Sequence, residues 1–256
     1  MSVATQTSST PLAGEIALVT GATSGIGRAT AEHLAELGAH VLLSGRDVER
    51  GEAVVAGIRA AGGKADFLAA DLSDVTGARD LAQRAIDAGG GRVDILVNNA
   101  GIFPFGPTVE FSDDDFDAIV EVNLRSPFAL VQALAPGMVE RGGGAIVNVS
   151  SAAGQRALPV AGVYSASKAA LDQLTRSWAA EFGPSGVRVN AVSPGPVRTE
   201  GTVDFKELHD ELAKISPSGR VSQPADVAAA IGFLAGPGAS NIHGTVLPVD
   251  GGYLAA

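Results

Sequence analysis

Cysteine is absent from this 256-residue chain, which excludes disulfides, thiolate metal sites and thiol catalysis. Histidine is scarce: His33, His40, His209 and His243 are too scattered for a zinc motif, so no metal site is expected. Positive charge is in deficit, with 18 Lys and Arg against 28 Asp and Glu and a net charge of −10. That is the wrong sign for nucleic acid or an anionic membrane surface, and it points to small-molecule partners. No apolar run reaches the roughly 18 residues of a spanning helix, and the amino terminus lacks the basic and apolar regions of a signal peptide. A cytoplasmic protein without a membrane partner is expected. Repeats, low-complexity blocks and a Pro/Ser linker are missing too, so one domain is the simplest organisation. Residues 1–11 read as a loose polar tail closed by Pro11, and residues 12–256 as the folded unit.

What is present is glycine in a telling place. The run Thr20-Gly-Ala-Thr-Ser-Gly-Ile-Gly27 follows the apolar Ile16-Ala-Leu-Val19 and precedes a helical pattern at Ile26, Ala29, Leu34 and Leu37. Gly21, Gly25 and Gly27 allow a tight turn, close approach of an anion and close packing of helix on strand. The loop Gly21, Thr23, Ser24, Gly25, Ile26, Gly27 therefore reads as a variant pyrophosphate loop, with helix-start N–H groups facing a phosphate. A glycine-rich turn with no ligand is the bland alternative, which the rest of the chain must decide.

Apolar strand patterns recur at Ile16–Val19, Ala39–Ser44, Ala65–Ala70, Val93–Val97, Ala145–Val149, Val187–Val192 and Thr245–Val249, alternating with helical patterns. Seven strands that are apolar on both faces predict an α/β fold, a doubly wound parallel sheet covered by helices on each side. Ligands then bind beyond the carboxyl ends of the strands, which gathers the residues after each strand on one rim. The polar stretch Arg198 to Gly219, after the sixth strand, reads as irregular chain suited to a lid.

Within a helix predicted over Val163 to Phe182, Tyr164 and Lys168 stand at i and i+4 on one face. A nearby cation favours phenolate and draws a Tyr pKa toward the working range, which suits proton transfer to a carbonyl oxygen. An exposed aromatic beside a solvated Lys is the alternative, which the rim position disfavours.

Taken in order, Thr20 to Gly27, Asn98-Asn-Ala-Gly101, Ser151, Tyr164-x-x-x-Lys168, Pro194-Gly195 and the ending Val249-Asp-Gly-Gly252 resemble the motif set of the short-chain dehydrogenase/reductase family. The resemblance implies that Tyr164 is the general acid in reduction and the general base in oxidation. It implies that Lys168 lowers the Tyr164 pKa and binds the nicotinamide ribose, that Ser151 donates a hydrogen bond to the substrate oxygen, and that Asn123 holds a water connecting Lys168 to solvent. An Asn that locally bends its helix is compatible with that last role. Asn98, with Ala100 and Gly101, is assigned to the fourth strand's end and the cofactor ribose, Asp71 and Leu72 to the adenine, and Pro194, Gly195, Val197 and Thr199 to the nicotinamide side. Gln155, Pro159 and Phe103 to Phe105 are candidates for the substrate wall. A homotetramer assembled through the two long helices before strands five and six is likewise implied.

Gly45 stands where NAD-preferring relatives carry an acidic residue, and Arg46 follows. A guanidinium pairs well with a 2′-phosphate, so NADP(H) is the expected cofactor, and Asp47 keeps NAD(H) as an alternative. The expected reaction is hydride transfer to a free ketone or from a secondary alcohol. A 3-oxoacyl-(acyl-carrier-protein) reductase is the runner-up, and a non-catalytic dinucleotide-binding regulator is the reading from another class. The carrier-linked reading needs a basic docking surface, whereas Ala180 replaces the Arg typical there and only Arg141 and Arg176 lie nearby.

Overall fold

In a computed structural model that describes residues 10–255, seven parallel strands form one sheet in the order β3-β2-β1-β4-β5-β6-β7. They are β1 (Ile16–Val19), β2 (His40–Gly45), β3 (Lys64–Ala69), β4 (Ile95–Asn98), β5 (Gly144–Val149), β6 (Val187–Pro194) and β7 (Val246–Val249). The helices are α1 (Gly25–Glu36), α2 (Val48–Ala60), α3 (Val75–Ala88), α4 (Asp113–Val120), α5 (Ser126–Glu140), α6 (Gly162–Phe182), α7 (Lys206–Ile215) and α8 (Pro224–Ala235).

Strand parity divides the core. Ala17, Val19, Val41, Leu43, Ile95, Val97, Ala145 and Val147 meet α1, α2 and α8 through Leu34, Val55 and Ile231. The alternate residues Leu18, Leu42, Leu96 and Ile146 meet α3, α5 and α6 through Leu81, Leu134 and Leu171. Because successive strand side chains point to opposite faces, an apolar run with no polar interruption must be covered twice. The alternating strands and helices supply that cover, and the doubly wound expectation holds.

The strand order reverses between β1 and β4, so the carboxyl ends of these two neighbours open a crevice. Polar side chains lock the region from inside. Asn98 Nδ2 donates to Asn148 Oδ1 at 2.9 Å, and Asn148 Nδ2 donates to Thr175 Oγ1 on α6 at 2.8 Å, all buried. Paired in this way, they avoid the cost of an unsatisfied polar group in the core.

The elements depart from the sequence reading in places. β6 runs on to Pro194 and β4 begins at Ile95, with Asp94 just before it bonded through its main chain to Ile16 and Ala145 and through Oδ2 to the Ile16 N–H. The stretch expected to be irregular, Arg198 to Gly219, contains a 3-10 segment (Glu200–Phe205) and then α7. Leu208, His209 and Leu212 lie on one side of α7, a stripe too short to stand out among its charged residues. The tail expected at residues 1–11 lies outside the described residues up to position 9; Leu12 already donates to Leu37 O and is buried.

Candidate active site

The glycine loop joins β1 to α1 with Gly21 and Gly25 at φ +63° and +52°, conformations that L side chains rarely adopt. A Cβ at Gly27 would sit 2.2 Å from Gly21 O and 2.4 Å from Asn99 Nδ2, so only glycine lets the loop fold back on itself. Ser24, at the start of α1, makes no side-chain cap, and no acidic residue occupies the first turn. The helix therefore begins as a set of N–H donors with partial positive charge, suited to an anion. In the protein as it stands, the Gly25 N–H donates to Glu200 Oε2 at 3.0 Å, with Thr199 packed against Gly25. A carboxylate on the segment after β6 thus rests in the seat that a dinucleotide phosphate needs.

Thr20 and Asn99 hold this loop. Thr20 Oγ1 accepts the N–H groups of Asn99 and Ala100, each at 3.0 Å, and Asn99 Nδ2 donates to Thr20 O and Gly21 O. Asn98, expected to help fix the fourth strand, points into the core and ties β4 to Asn148 on β5, while the neighbouring Asn99, which sequence reasoning did not single out, holds the loop. Strand alternation could have found Asn99, since adjacent residues face opposite sides. At the β2 end, Thr23 packs against Gly45, where a Cβ would come within 2.6 Å of Thr23 Cγ2. A side chain at position 45 therefore requires the Thr23 side chain to move aside. Arg46 is exposed and makes no ion pair among the described residues, whereas Asp47 caps α2 and pairs with Arg50 at 2.6 Å. Asp71 Oδ1 accepts the Ser73 N–H, and Leu72 is buried at the end of β3.

A cavity of about 440 Å³ opens beside the loop. Ile26, Gly101, Ser151, Tyr164, Lys168, Pro194, Gly195, Val197 and Thr199 all line it, so residues from distant parts of the sequence converge. Ser151, at the end of β5, caps the short turn Ala152–Gly154 and lies against the Tyr164 phenol. Phe103 and Phe105 meet the Tyr164 ring edge-on at 6.3 and 6.1 Å. They form cavity wall with Leu158, Pro159 and Val160 and are not core. Gln155 is a correction: its Nε2 donates to Ser193 Oγ at 2.8 Å, and it does not line the cavity. The roof is α7, with Leu208, His209 and Leu212; burial and Arg198 push the His209 imidazole pKa down. At the mouth, the Arg156 guanidinium lies 4.8 Å over the Tyr253 ring. Neither α7 nor Tyr253 was singled out as cavity wall from sequence.

Asn123 is fully buried in a π-helical turn, Glu121–Arg125, between α4 and α5. Its Oδ1 accepts the Ile102 N–H and its Nδ2 donates to Ile102 O, both at 2.8 Å, pinning the loop after β4. Lys168 Nζ donates to Val149 O at 2.8 Å and stands 5.8 Å from the Tyr164 ring centre. A Cβ at Gly101 would lie 3.3 Å from Asn123 Oδ1 and 3.4 Å from Lys168 Nζ, so glycine keeps this corner open.

The electrostatics differ from the sequence expectation. Burial holds the Tyr164 phenol above its usual 10, opposed by the Ser151 hydrogen bond. Lys168 is pulled down to about 8 by burial, opposed by Asp172. Lys168 is not among the groups that shift Tyr164, so the expected lowering is not seen: desolvation prevails over the Ser151 hydrogen bond.

A family model described as Enoyl-(Acyl carrier protein) reductase matches residues 21–254. A solved short chain dehydrogenase/reductase family protein is 48% identical with a TM-score of 0.88, covering 96% of this chain and all of that one. A protein from Beutenbergia cavernae, provisionally assigned as an NAD(P)-dependent gluconate 5-dehydrogenase and solved with NADP at low occupancy, is 41% identical with a TM-score of 0.91; the match covers 97% of this chain and 100% of that one. The 3-oxoacyl-(acyl-carrier-protein) reductase of Thermotoga maritima is 37% identical over 245 residues, 95% of this chain and 99% of that protein.

Replacing the seated carboxylate tests the anion site. Glu200→Gln removes a negative charge from a helix start, an effect of about 0.3–1 kcal/mol. It is expected to tighten NADPH binding roughly two- to fivefold by calorimetric titration; unchanged or weaker binding would show that Glu200 does not compete.

Proposed function

The chain belongs to the short-chain dehydrogenase/reductase family, and on that premise we propose that it moves hydride between NADP(H) and a free ketone or secondary alcohol bearing a hydrophobic substituent. The observation that carries this reading is the convergence of Ser151, Tyr164 and Lys168 on one cavity beside an uncapped helix start. The residues present fit a dinucleotide. Gly21, Gly25 and Gly27 leave the space a pyrophosphate needs, Gly101 opens the corner beside Lys168, and Pro194 to Thr199 form the opposite wall.

When bound, the reduced nicotinamide supplies the hydride. In reduction, Tyr164 donates its phenolic proton to the carbonyl oxygen as negative charge develops there, and Ser151 donates a hydrogen bond to the same oxygen. Burial, by raising the Tyr164 pKa, keeps that proton in place until a substrate oxygen accepts it. The Lys168 ammonium stabilises the phenolate left behind and holds the cofactor ribose. Asn123 lies in the π-turn beside Lys168, and a water held there returns the proton by way of Lys168.

The cavity wall supports a substrate with an apolar substituent: Phe103, Phe105, Leu158 and Leu212 flank the reacting group. The carrier-linked 3-oxoacyl alternative, favoured by the Thermotoga relative, needs a basic docking patch. Arg141 is instead tied to Val93 O at 2.7 Å and faces Asp94, in a protein of net charge −10. Self-association through α5 and α6 completes the proposal. There Phe128 on α5 is 46% exposed, its ring 6.0 Å from that of the buried Trp178 on α6, so α5 presents an aromatic side chain that association would cover.

The deciding assay measures NADPH oxidation with free ketones and with a carrier-linked 3-oxoacyl substrate. Free ketones are expected to be turned over, and Tyr164→Phe to lose about 10²- to 10⁴-fold in kcat while still binding cofactor. Full activity of that variant overturns the mechanism. A tenfold preference for the carrier-linked substrate promotes the alternative, on the order of the discrimination that good pocket contacts supply. Cofactor uptake with no turnover of any substrate favours the regulator.

Arg46→Ala tests cofactor choice. Loss of a charge-assisted bond to the 2′-phosphate costs about 1.5–3 kcal/mol, roughly ten- to hundredfold in NADPH affinity, with NADH little changed. Equal wild-type affinity for the two cofactors contradicts the preference.

Light scattering at micromolar concentration is expected to give the mass of a homotetramer, and a monomer would refute the self-association.

A further inference from the structure

Asp172 is a charged side chain that the proposed mechanism does not use, yet it is 3% exposed. A carboxylate is rarely buried so deeply without a role or a close ion pair. Its Oδ1 has no hydrogen-bond partner, and Ser150, the residue before Ser151, lies beside it, with its hydroxyl 3.4 Å from Lys168 O. It stands on α6 one turn beyond Lys168, as Lys168 stands one turn beyond Tyr164, so phenol, ammonium and carboxylate follow one another along one face of the helix.

We propose that Asp172 is a positioning residue for Lys168: its buried carboxylate, steadied by Ser150, keeps the Lys168 side chain a cation aimed at the cavity. Lys168 is wholly enclosed, and enclosure alone disfavours its charged form. The groups packed around it from other elements are neutral: Val149 O and Ser150 on β5, Asn123 in the π-turn, and the main chain at Gly101. Asp172 is the one charge that raises the Lys168 pKa; the rest of Asp172's own charged surroundings is the exposed Arg176, a further turn along α6. Burial raises the Asp172 pKa, while the Ser150 hydrogen bond, Arg176 and Lys168 oppose that rise and favour the carboxylate. Removing the negative charge leaves a lone ammonium in a low-dielectric site, which then gives up its proton at lower pH.

The inference rests on the reading of Lys168 as part of the reactive cluster, and its test does not depend on turnover. The other lysines are Lys64, Lys206 and Lys214, so ¹³Cε-lysine NMR of the cofactor-free protein can follow Lys168 by itself. Wild type is expected to titrate near 8. Asp172→Asn, of nearly equal shape, is expected to titrate lower by about half a unit or more. Asp172→Ser, smaller but equally neutral, is expected to give the same shift, because the effect follows charge and not volume. In the reductive pH profile, the fall of kcat/KM at high pH should move the same way. A folded neutral variant whose Lys168 titrates within about 0.2 unit of wild type overturns the proposal, whichever of the two variants folds.

Discussion

The tie between the carboxyl ends of β1 and β4 is the constraint on which the site depends. Thr20 Oγ1 takes two successive N–H groups from the chain leaving β4, and Asn99 returns its amide to the two carbonyls that open the glycine loop. Both strands are parallel, so their ends carry unpaired main-chain groups that must find partners outside the ladder. Satisfying them with each other fixes the anion seat of α1 relative to Gly101. From Gly101 the chain passes Ile102, which Asn123 grips from both sides, and so reaches the Lys168 corner. One hydrogen-bonded junction therefore positions the two halves of the cavity.

Two charges stand at that cavity, one at an exposed helix start and one enclosed in the protein. The start of α1 offers partial positive charge without a side-chain cap, and Glu200 covers it. Lys168 offers a full charge inside the protein, with a main-chain carbonyl as its hydrogen-bond partner and Asp172 as its nearest compensation. Electrostatic interactions are stronger in such a site than in bulk water, which makes the arrangement both costly to build and effective on a reacting oxygen. The apolar wall contributes by excluding solvent from Tyr164.

Much of this was legible in the chain. Seven apolar runs separated by helical periods leave few alternatives to a parallel sheet, and the glycine spacing after Val19 located the ligand end. Tyr164 and Lys168 share a helix, so their juxtaposition is a matter of helical pitch and needs no tertiary information. By the same pitch Asp172 belonged beside them, but a single acidic residue on a helix reads as solvated until its burial is known. Asn98 was singled out and Asn99 was not: the tie from Asn99 to Thr20 O and Gly21 O spans almost eighty residues of chain, and no local pattern marks it.

The sequence by itself determined the fold class, the family resemblance and the residues able to do proton chemistry, because these rest on local periodicity and on motifs read in order along the chain. Only the tertiary structure decided which side chains meet across large separations: Glu200 at Gly25, Gln155 turned to Ser193, α7 as roof and Tyr253 at the mouth. The same holds for the balance at Tyr164, where burial outweighs the Ser151 hydrogen bond, and at Lys168, where it outweighs the charge of Asp172. Desolvation depends on everything packed around a group, and no spacing along the chain encodes it.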